Sequence, residues 1–235
     1  MLHLETVSDE LLTTIQTISD CEELNDFRLV GGTALSLYFG HRISVDADFF
    51  TDKTFDKREI ESHLIRLFPN IIKVSESPHG FTWAFGLVKI DIYNWKVPFL
   101  NPPHLENGIR LASIEDIAAY KLEAVIGRKT EKDFRDVAEL LNLFTLLQLL
   151  DFYKRKYPYN DPRIAIENLD LSEEVEPEHG IILFKELTWQ QVQDIIKAKI
   201  RAYYVELNDN QQKILQERDQ QLRDILSRKN KPKSD

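Results

Sequence analysis

Residues 29–50 read LVGGTALSLYFGHRISVDADFF, and this stretch decides the fold. A short apolar segment leads into Gly31-Gly32, residues 33–39 have a helical pattern, and a second apolar segment carries Asp46 and Asp48. Glycines let a backbone approach a ligand closely, and the unpaired N–H groups at the start of a helix favour an anion. The stretch therefore predicts a strand, a glycine turn, a helix and a second strand, with the turn either binding phosphate or packing closely.

The two aspartates of this stretch are candidate metal ligands. Asp46 and Asp48 lie two residues apart, so on a strand their side chains point to the same face. Carboxylates this close repel each other unless cations or protons intervene, and Mg²⁺ takes such oxygen ligands together with water and phosphate. A solvated pair at a strand end is the alternative. His41 and Arg42 precede the pair and are candidates to contact phosphate.

A third carboxylate lies in residues 88–93, VKIDIY, where apolar residues alternate with Lys89, Asp91 and Tyr93. If this strand neighbours the Asp46–Asp48 strand, three carboxylates converge on one face of the sheet. Such a group supports two metal ions about 3.5–4 Å apart, which act on the attacking and leaving oxygens of a phosphoryl displacement. A solvent-facing strand position is the alternative for Asp91.

Lys121 lies in the middle of the apolar stripe of a helix predicted over residues 113–128. Lysine is rarely buried without a partner, so Lys121 either extends to solvent or borders a cleft that contains negative charge. Arg128 follows seven residues later on the same side. We favour a phosphate contact for Lys121, and expect Lys121→Ala to fold because alanine suits an apolar stripe.

Asp133 lies beside the apolar face of the next helix, predicted over residues 131–150. Its spacing from Thr130 fits a capping box, and an ion pair with Lys121 or Arg128 is the alternative. We favour one of these supporting roles for Asp133, and a direct part in the chemistry is the remaining alternative. Asp136, one turn later, is expected to be more exposed.

The sequence resembles nucleotidyltransferases of the polymerase-beta-like superfamily and, within it, the AbiEii/AbiGii toxin family. The resemblance covers about residues 25–145 and includes the segment 113–141, SIEDIAAYKLEAVIGRKTEKDFRDVAELL. Its remaining matches are Gly31-Gly32-Thr33-Ala34-Leu35, His41-Arg42, Ser44, Asp46-Ala47-Asp48-Phe49-Phe50 and Asp91. One departure is Ala47, where the family usually has a larger aliphatic residue.

The resemblance implies an α+β fold: a polymerase-beta-like core, with a small mixed sheet flanked by helices, and a C-terminal helical region. It implies transfer of a nucleotide from a nucleoside triphosphate, with Mg²⁺ or Mn²⁺, to an acceptor such as transfer RNA. It further implies a toxin with a cognate antitoxin. The predicted site then has catalytic Asp46, Asp48, Asp91 and Lys121, of which the aspartates bind metal; phosphate-binding Gly31, Gly32, Thr33, His41, Arg42 and Arg128; and supporting Asp133.

Composition limits the remaining possibilities. The 235 residues have one cysteine, Cys21, which excludes an internal disulfide and a multi-cysteine zinc site. We find no apolar run of about 18 residues and no secretory signal, so we expect a cytoplasmic protein without a membrane span. We predict a core over residues 1–150, a connecting segment over 151–187 and a helical arm over 188–235 with a frayed end.

The net charge of −9 is unevenly distributed. Residues 188–235 contain ten Lys and Arg against seven Asp and Glu, so the acidic excess lies in the rest of the chain. A polyanionic acceptor is therefore expected to contact this arm and the basic, aromatic segment before it. A solvated helix end is the alternative for that segment, which contains Tyr153, Lys154, Arg155, Lys156, Tyr157, Tyr159 and Arg163.

Three other functions compete with an RNA-modifying toxin. One is adenylylation of a small molecule of the antibiotic type, and another is a binding protein that keeps the fold without catalysis. The third is a partner-binding arm formed by the C-terminal helices. The complete set of three carboxylates and Lys121 favours an active enzyme.

Overall fold

A seven-stranded mixed sheet carries the glycine turn and both acidic segments. The computed structural model of the chain describes residues 1–176, 178 and 180–229, with side chains as far as residue 221. The strand order is β3-β4-β5-β2-β1-β7-β6. The strands are β1 (Arg28–Leu29), β2 (Asp46–Thr51), β3 (Ile72–Ser77), β4 (Gly80–Phe85), β5 (Val88–Asn94), β6 (His104–Glu106) and β7 (Ile109–Leu111).

The two acidic strands are neighbours at the centre of this sheet. β2 and β5 run parallel, with Asp48 opposite Asp91 and Asp46 opposite Lys89. β1 pairs with β2 on the other side in the antiparallel direction, so the turn after β1 returns beside the carboxylates. The predicted adjacency of the two acidic strands is confirmed.

Eight α-helices lie in the described part of the chain, and side-chain caps define where several of them begin. Ser8, Asp56 and Ser113 each accept a hydrogen bond from a backbone N–H of the following first turn. The helices are α1 (Asp9–Asp20), α2 (Gly31–Phe39), α3 (Lys57–Leu67), α4 (Ile114–Gly127), α5 (Glu131–Leu143), α6 (Leu146–Lys156), α7 (Arg163–Asp170) and α8 (Trp189–Lys229).

The central helix of the core is α4, which packs against α2, α5, α6 and α7. Its Ile117, Leu122 and Val125 are fully buried, as are Leu35 of α2 and Val137 of α5. Burying such side chains contributes roughly 1.5–3 kcal/mol each. This packing holds α4 over one end of the central strands.

The structure differs from the sequence prediction in several elements. The helix predicted over residues 131–150 is two helices, because Thr145 and Gln148 form a capping box that starts α6. The weak alternation of residues 42–50 predicts one strand over that range, but β2 begins at Asp46, since the N–H groups of Ile43 and Ser44 bond to other segments. Strands β3, β6 and β7 and helix α7 were not predicted.

The sequence pattern of the C-terminal arm predicts two helices, over residues 188–207 and 211–228, but the region is one helix, α8. At its start, the backbone N–H of Thr188 donates to the side chain of Gln191, and the backbone N–H of Gln191 donates to the side chain of Thr188. The side chains of Val192, Ile196 and Ile200 in its first turns are buried. Residues 206–221 are exposed throughout. The predicted frayed end lies mostly at residues 230–235, outside the described residues, and the division into three parts remains a prediction. None of the described helices is long and apolar enough to cross a membrane.

Candidate active site

A cavity of about 560 Å³ lies between one face of the central strands and helix α4. Alternate residues of β2 and β5 line one side of the cavity. Residues that share one face of α4 line the other. Its walls are formed by Gly31, Asp48, Phe50, Thr82, Lys89, Asp91, Tyr93, Trp95, Tyr120, Lys121, Glu123, Ala124, Gly127 and Arg128. The cavity therefore contains five of the predicted site residues, namely Gly31, Asp48, Asp91, Lys121 and Arg128.

The glycine turn approaches the carboxylates closely. Gly31 has φ +71°, and a Cβ atom there would lie 2.2 Å from Oδ2 of Asp48. A Cβ atom on Gly32 would lie 2.1 Å from Nη2 of Arg42. The backbone conformation and the close approach thus both require glycine at Gly31, where α2 starts at the cavity wall. At Gly32, close packing against Arg42 accounts for the glycine. At Gly31, the start of α2 also faces the cavity.

Asp48 stands in a strongly negative environment. Its burial, together with repulsion from Asp91 and Asp46, raises the pKa of Asp48 to about 6. Lys121 and Lys89 oppose this shift but do not cancel it. An added cation would relieve the repulsion, because it would lower the free energy of the ionised form.

Both oxygens of Asp91 have protein partners. Thr82 Oγ1 donates a hydrogen bond to Oδ1 at 2.6 Å, and Lys89 Nζ lies 2.5 Å from Oδ2. Among the described residues, no three acidic, histidine or cysteine side chains stand where they could hold one metal ion together. A Mg²⁺ ion usually binds to one or two carboxylates and completes its coordination with substrate phosphates and water. The residues fit that simpler mode, in which Asp48 would be the ligand inside the cavity and Lys89 a competing cation beside it.

We expect Lys89→Met to strengthen binding of divalent cations. Lys89 neutralises part of the charge on Asp91, so its removal leaves the carboxylates more attractive to a metal ion. The side chain is half-exposed, which limits the expected gain to about 2- to 5-fold in affinity. The measurement is the melting temperature as a function of Mn²⁺ concentration. Lys53→Met, which removes an exposed pair with Asp26, is the control and is expected to leave the midpoint unchanged.

Lys121 is buried in a network of charges behind the cavity. Its Nζ lies 3.1 Å from Oδ1 of Asp133 and 2.6 Å from Oδ2 of Asp136, and both aspartates are fully buried. A lysine ammonium has three N–H donors, so one remains for a substrate in the cavity. The expectation that Lys121→Ala folds normally is revised, because that variant leaves two buried carboxylates without this cation.

Charge pairing determines the pKa of both buried aspartates. Burial alone would raise the pKa of Asp133, but hydrogen bonds from Arg128 and Thr130 and the charge of Lys121 lower it to about 2. Burial acts in the same way on Asp136, and there Lys121, Arg42 and His41 hold the pKa well below its usual value. Both groups are therefore ionised at neutral pH.

Several sequence predictions for this network are corrected. Asp136 is fully buried, where it was expected to be exposed. Arg42 Nε and Nη2 bind its two oxygens at 2.8 and 2.9 Å, and His41 Nε2 lies 2.7 Å from Oδ1. His41 and Arg42 are thus buried partners of Asp136, outside the cavity walls where phosphate contacts were predicted. Thr33 is also buried, with its hydroxyl bonded to Ser44 and to the backbone of β2.

Asp133 supports the cavity through ion pairs. Arg128 Nε and Nη2 donate to its two oxygens at 2.7 and 2.9 Å, and Lys121 contacts it from α4. Thr130 begins α5 without a side-chain capping bond, and its hydroxyl instead donates to the Asp133 carboxylate. Of the two predicted roles, Asp133 therefore has the ion pair with Lys121 and Arg128, and the capping box with Thr130 does not form. The Arg128 side chain is 57% exposed and brings a positive charge to the cavity wall.

Three of the seven residues predicted to form a surface for RNA after residue 150 are buried. Lys156 is buried with its Nζ 2.7 Å from Oδ1 of Asp116, and Tyr153 and Tyr157 are also buried. These residues belong to the packing of α6 against α4. The exposed remainder of that segment is Lys154, Arg155, Tyr159 and Arg163.

Sequence reasoning missed the aromatic side of the cavity. Phe50 follows Asp48 by two residues on β2, and Tyr93 follows Asp91 by two residues on β5. The same alternation that groups the carboxylates therefore groups these rings on the same face. Trp95 and Tyr120 complete the aromatic wall, and only the tertiary structure brings them there.

Comparison with known proteins gives a matching family model and a sequence relative. A model of the nucleotidyl transferase AbiEii toxins of type IV toxin–antitoxin systems matches residues 14–213. An uncharacterized protein from Aquifex aeolicus (strain VF5) is 30% identical over 211 residues, which are 86% of this chain and 98% of that protein.

Two solved structures are similar to most of the chain. JHP933 from Helicobacter pylori has a TM-score of 0.55 at 18% identity, with 90% of this chain and 99% of that chain covered. MenT4, a nucleotidyltransferase toxin from Mycobacterium tuberculosis H37Rv, has a TM-score of 0.54 at 11% identity, with 80% of each chain covered. Likeness at this identity shows the fold, and the predicted polymerase-beta-like α+β core is confirmed.

Proposed function

The chain belongs to the family of AbiEii nucleotidyltransferase toxins, and we propose that it transfers a nucleotide from a nucleoside triphosphate to an RNA acceptor such as transfer RNA. Membership makes the protein a nucleotidyltransferase and implies a nucleotide substrate and an antitoxin partner. The RNA acceptor, the choice of Mg²⁺ or Mn²⁺, the cytoplasmic location and the role of each residue are proposals. The cavity and the charges around it support the roles proposed for the residues.

One observation carries the proposal. Asp48 and Asp91 lie side by side on the cavity face, Gly31 begins helix α2 next to Asp48, and Lys121 and Arg128 line the opposite wall. Negative groups suited to a metal ion are therefore flanked by two features that attract phosphate, a helix start and a pair of cations. This arrangement suits a triphosphate that bridges the wall and the turn.

The chemistry assigned to these residues is a displacement at the α-phosphorus. A divalent cation, when bound, supplies a Lewis acid that neutralises phosphate charge. The acceptor oxygen forms a bond to the α-phosphorus, the bond to the bridging oxygen of the β-phosphate breaks, and pyrophosphate leaves. The hydroxyl proton passes to Asp91, which Thr82 orients, after Lys89 has moved aside. Lys121 and Arg128 stabilise the charge that develops on the leaving pyrophosphate.

Incubation of the purified protein with α-labelled nucleoside triphosphates, Mg²⁺ and total RNA tests this function. We expect label in the RNA fraction that depends on protein and on divalent cation. A parallel reaction replaces the RNA with an aminoglycoside antibiotic, since small-molecule adenylylation is the competing activity. Label on the antibiotic and none on RNA would overturn the RNA acceptor, and label on neither in the presence of cation would contradict both acceptors.

A further inference from the structure

The cavity has an aromatic end that the transfer chemistry leaves unassigned. Phe50 and Trp95 are stacked, with ring planes 4° apart and centroids 5.2 Å apart. Tyr120 of α4 meets them edge-on, at 87° to Phe50 and 88° to Trp95. Tyr93 makes a second edge-on contact with Phe50, at 72°. Four rings thus form a rigid apolar wall in a cavity whose other walls are charged.

Trp95 presents a large fixed ring to this cavity. Its indole N–H donates to the hydroxyl of Tyr157 at 3.0 Å, and its backbone N–H donates to Thr51 at 2.9 Å. The residue nevertheless remains 40% exposed. An aromatic ring held this firmly and left partly uncovered offers a stacking surface at a small cost in side-chain entropy.

The aromatic end is at a defined distance from the carboxylates. Phe50 lies two residues after Asp48 on β2, and Tyr93 lies two residues after Asp91 on β5. Two residues of a strand span roughly 6.5 Å. In a nucleoside triphosphate the ribose separates the α-phosphate from the base by a comparable length. An α-phosphate at Asp48 therefore leaves the base of the same molecule within reach of Phe50 and Trp95.

Glu123 stands on the same wall, one helical turn after Tyr120. The hydroxyl of Tyr153 donates to Oε2 of Glu123 at 2.6 Å, and Asn160 Nδ2 donates to that hydroxyl at 3.0 Å. These bonds fix the orientation of the carboxylate. An ionised carboxylate only accepts hydrogen bonds, so it favours a base edge with an amino group and disfavours one with a carbonyl group.

We propose that this end of the cavity binds the base of the donor nucleotide, with Trp95 as its stacking surface and Glu123 as the acceptor for an exocyclic amino group. The inference rests on the proposed function, because it takes the triphosphate to lie at Gly31 and Asp48. It assigns the substrate a class: a nucleoside triphosphate whose base carries an amino group. Uracil, with a carbonyl on each side of its N–H, fits least well.

Binding of ATP and of inorganic triphosphate, each with Mg²⁺ and without an acceptor, tests the stacking surface. Calorimetry is expected to show that Trp95→Leu weakens ATP binding about 5- to 150-fold, the range for loss of one base–aromatic stack. Inorganic triphosphate has no base, so its affinity is expected to change less than 2-fold. Trp95→Phe keeps a ring and is expected to restore most of the ATP affinity.

An exposed aromatic residue outside the cavity provides the control for Trp95→Leu. Tyr159 is 99% exposed and outside the cavity walls, so Tyr159→Leu is expected to leave ATP binding unchanged. Equal losses for ATP and triphosphate in Trp95→Leu, or an unchanged ATP affinity with a raised KM for the acceptor, would overturn the assignment. A wild-type protein that binds neither ligand would overturn the nucleotide-binding function itself and, with it, the base site.

The pyrimidine triphosphates CTP and UTP test Glu123, because cytosine carries an exocyclic amino group where uracil carries a carbonyl group. We expect the wild type to bind CTP about 3- to 10-fold more tightly than UTP, the range for one hydrogen bond. Glu123→Gln can donate as well as accept, and is expected to bring the two affinities within 2-fold. Equal wild-type affinities, or a preference that Glu123→Gln leaves unchanged, would remove Glu123 from base recognition.

Discussion

Asp48→Asn is expected to lower nucleotidyl transfer by at least about 10²–10³-fold, the loss seen when one preorganised electrostatic group is removed from an active site. Asp48 is the carboxylate that lines the cavity between the glycine turn and Asp91. Asparagine keeps the shape of the side chain and removes its charge, so the triphosphate loses the group that draws a divalent cation to it. Initial rates of label transfer measure the effect.

The same substitution is expected to stabilise the protein when divalent cations are absent. Burial and the neighbouring carboxylates raise the pKa of Asp48 to about 6, so the folded state favours the protonated form. Stability is therefore lost as the pH rises from about 4 to 6, where the folded protein must ionise this group. Asparagine avoids that loss, and we expect Asp48→Asn to gain on the order of 1 kcal/mol at pH 7.

Thermal unfolding in a chelator from pH 4 to 8 measures this gain. The advantage of Asp48→Asn over the wild type is expected to shrink as the pH falls below 6. Asp151, which is 62% exposed on α6, provides the control, and Asp151→Asn is expected to change neither transfer nor stability. A variant Asp48→Asn that transfers label at the wild-type rate would contradict the assignment of the site.

Asp136→Ala is expected to destabilise the fold by about 3–5 kcal/mol, because it breaks a buried ion pair and leaves its cations uncompensated. The Asp136 carboxylate is the common partner of His41, Arg42 and Lys121, and it is fully buried. Since these partners come from the segment before β2 and from α4, the Asp136 carboxylate joins that segment to the helix that covers the cavity.

Urea unfolding measures this loss, with an unchanged dependence on denaturant showing that the change is one of stability. Asp209→Ala on the exposed part of α8 is the control and is expected to shift stability by less than about 0.5 kcal/mol. The low pKa of Asp136 gives the sign of the pH effect. Its contribution is complete above about pH 4 and is lost at lower pH. A loss below 1 kcal/mol in Asp136→Ala would contradict the account of this network.

The sequence predicted the part of the site that depends on local pattern. Alternation placed Asp48 and Asp91 on one face, and parallel pairing of β2 with β5 put them opposite each other. The apolar stripe of α4 marked Lys121 as anomalous, and the structure gives it two buried carboxylates. These features could be predicted because strand and helix periodicity determine which side chains share a face.

The partners of each charge could not be predicted in the same way. Asp136 lies 95 residues from His41 and 94 from Arg42 in the sequence, so no local spacing indicates their contact. The partner of Lys156 could not be predicted either. Its neighbours in the sequence are basic and aromatic, yet its side chain is buried against Asp116 of another helix. The short strands β6 and β7 were not predicted because three residues each are too few to show alternation.

The most direct test of the central claim compares two labels on the same nucleoside triphosphate. Transfer of a nucleotide keeps the α-phosphate on the acceptor and releases the γ-phosphate within pyrophosphate. We therefore predict that RNA incubated with the protein and Mg²⁺ acquires label from the α position and none from the γ position, and that Asp48→Asn abolishes the α signal. Label from the γ position on RNA, or α label undiminished in Asp48→Asn, would contradict nucleotidyl transfer at this site.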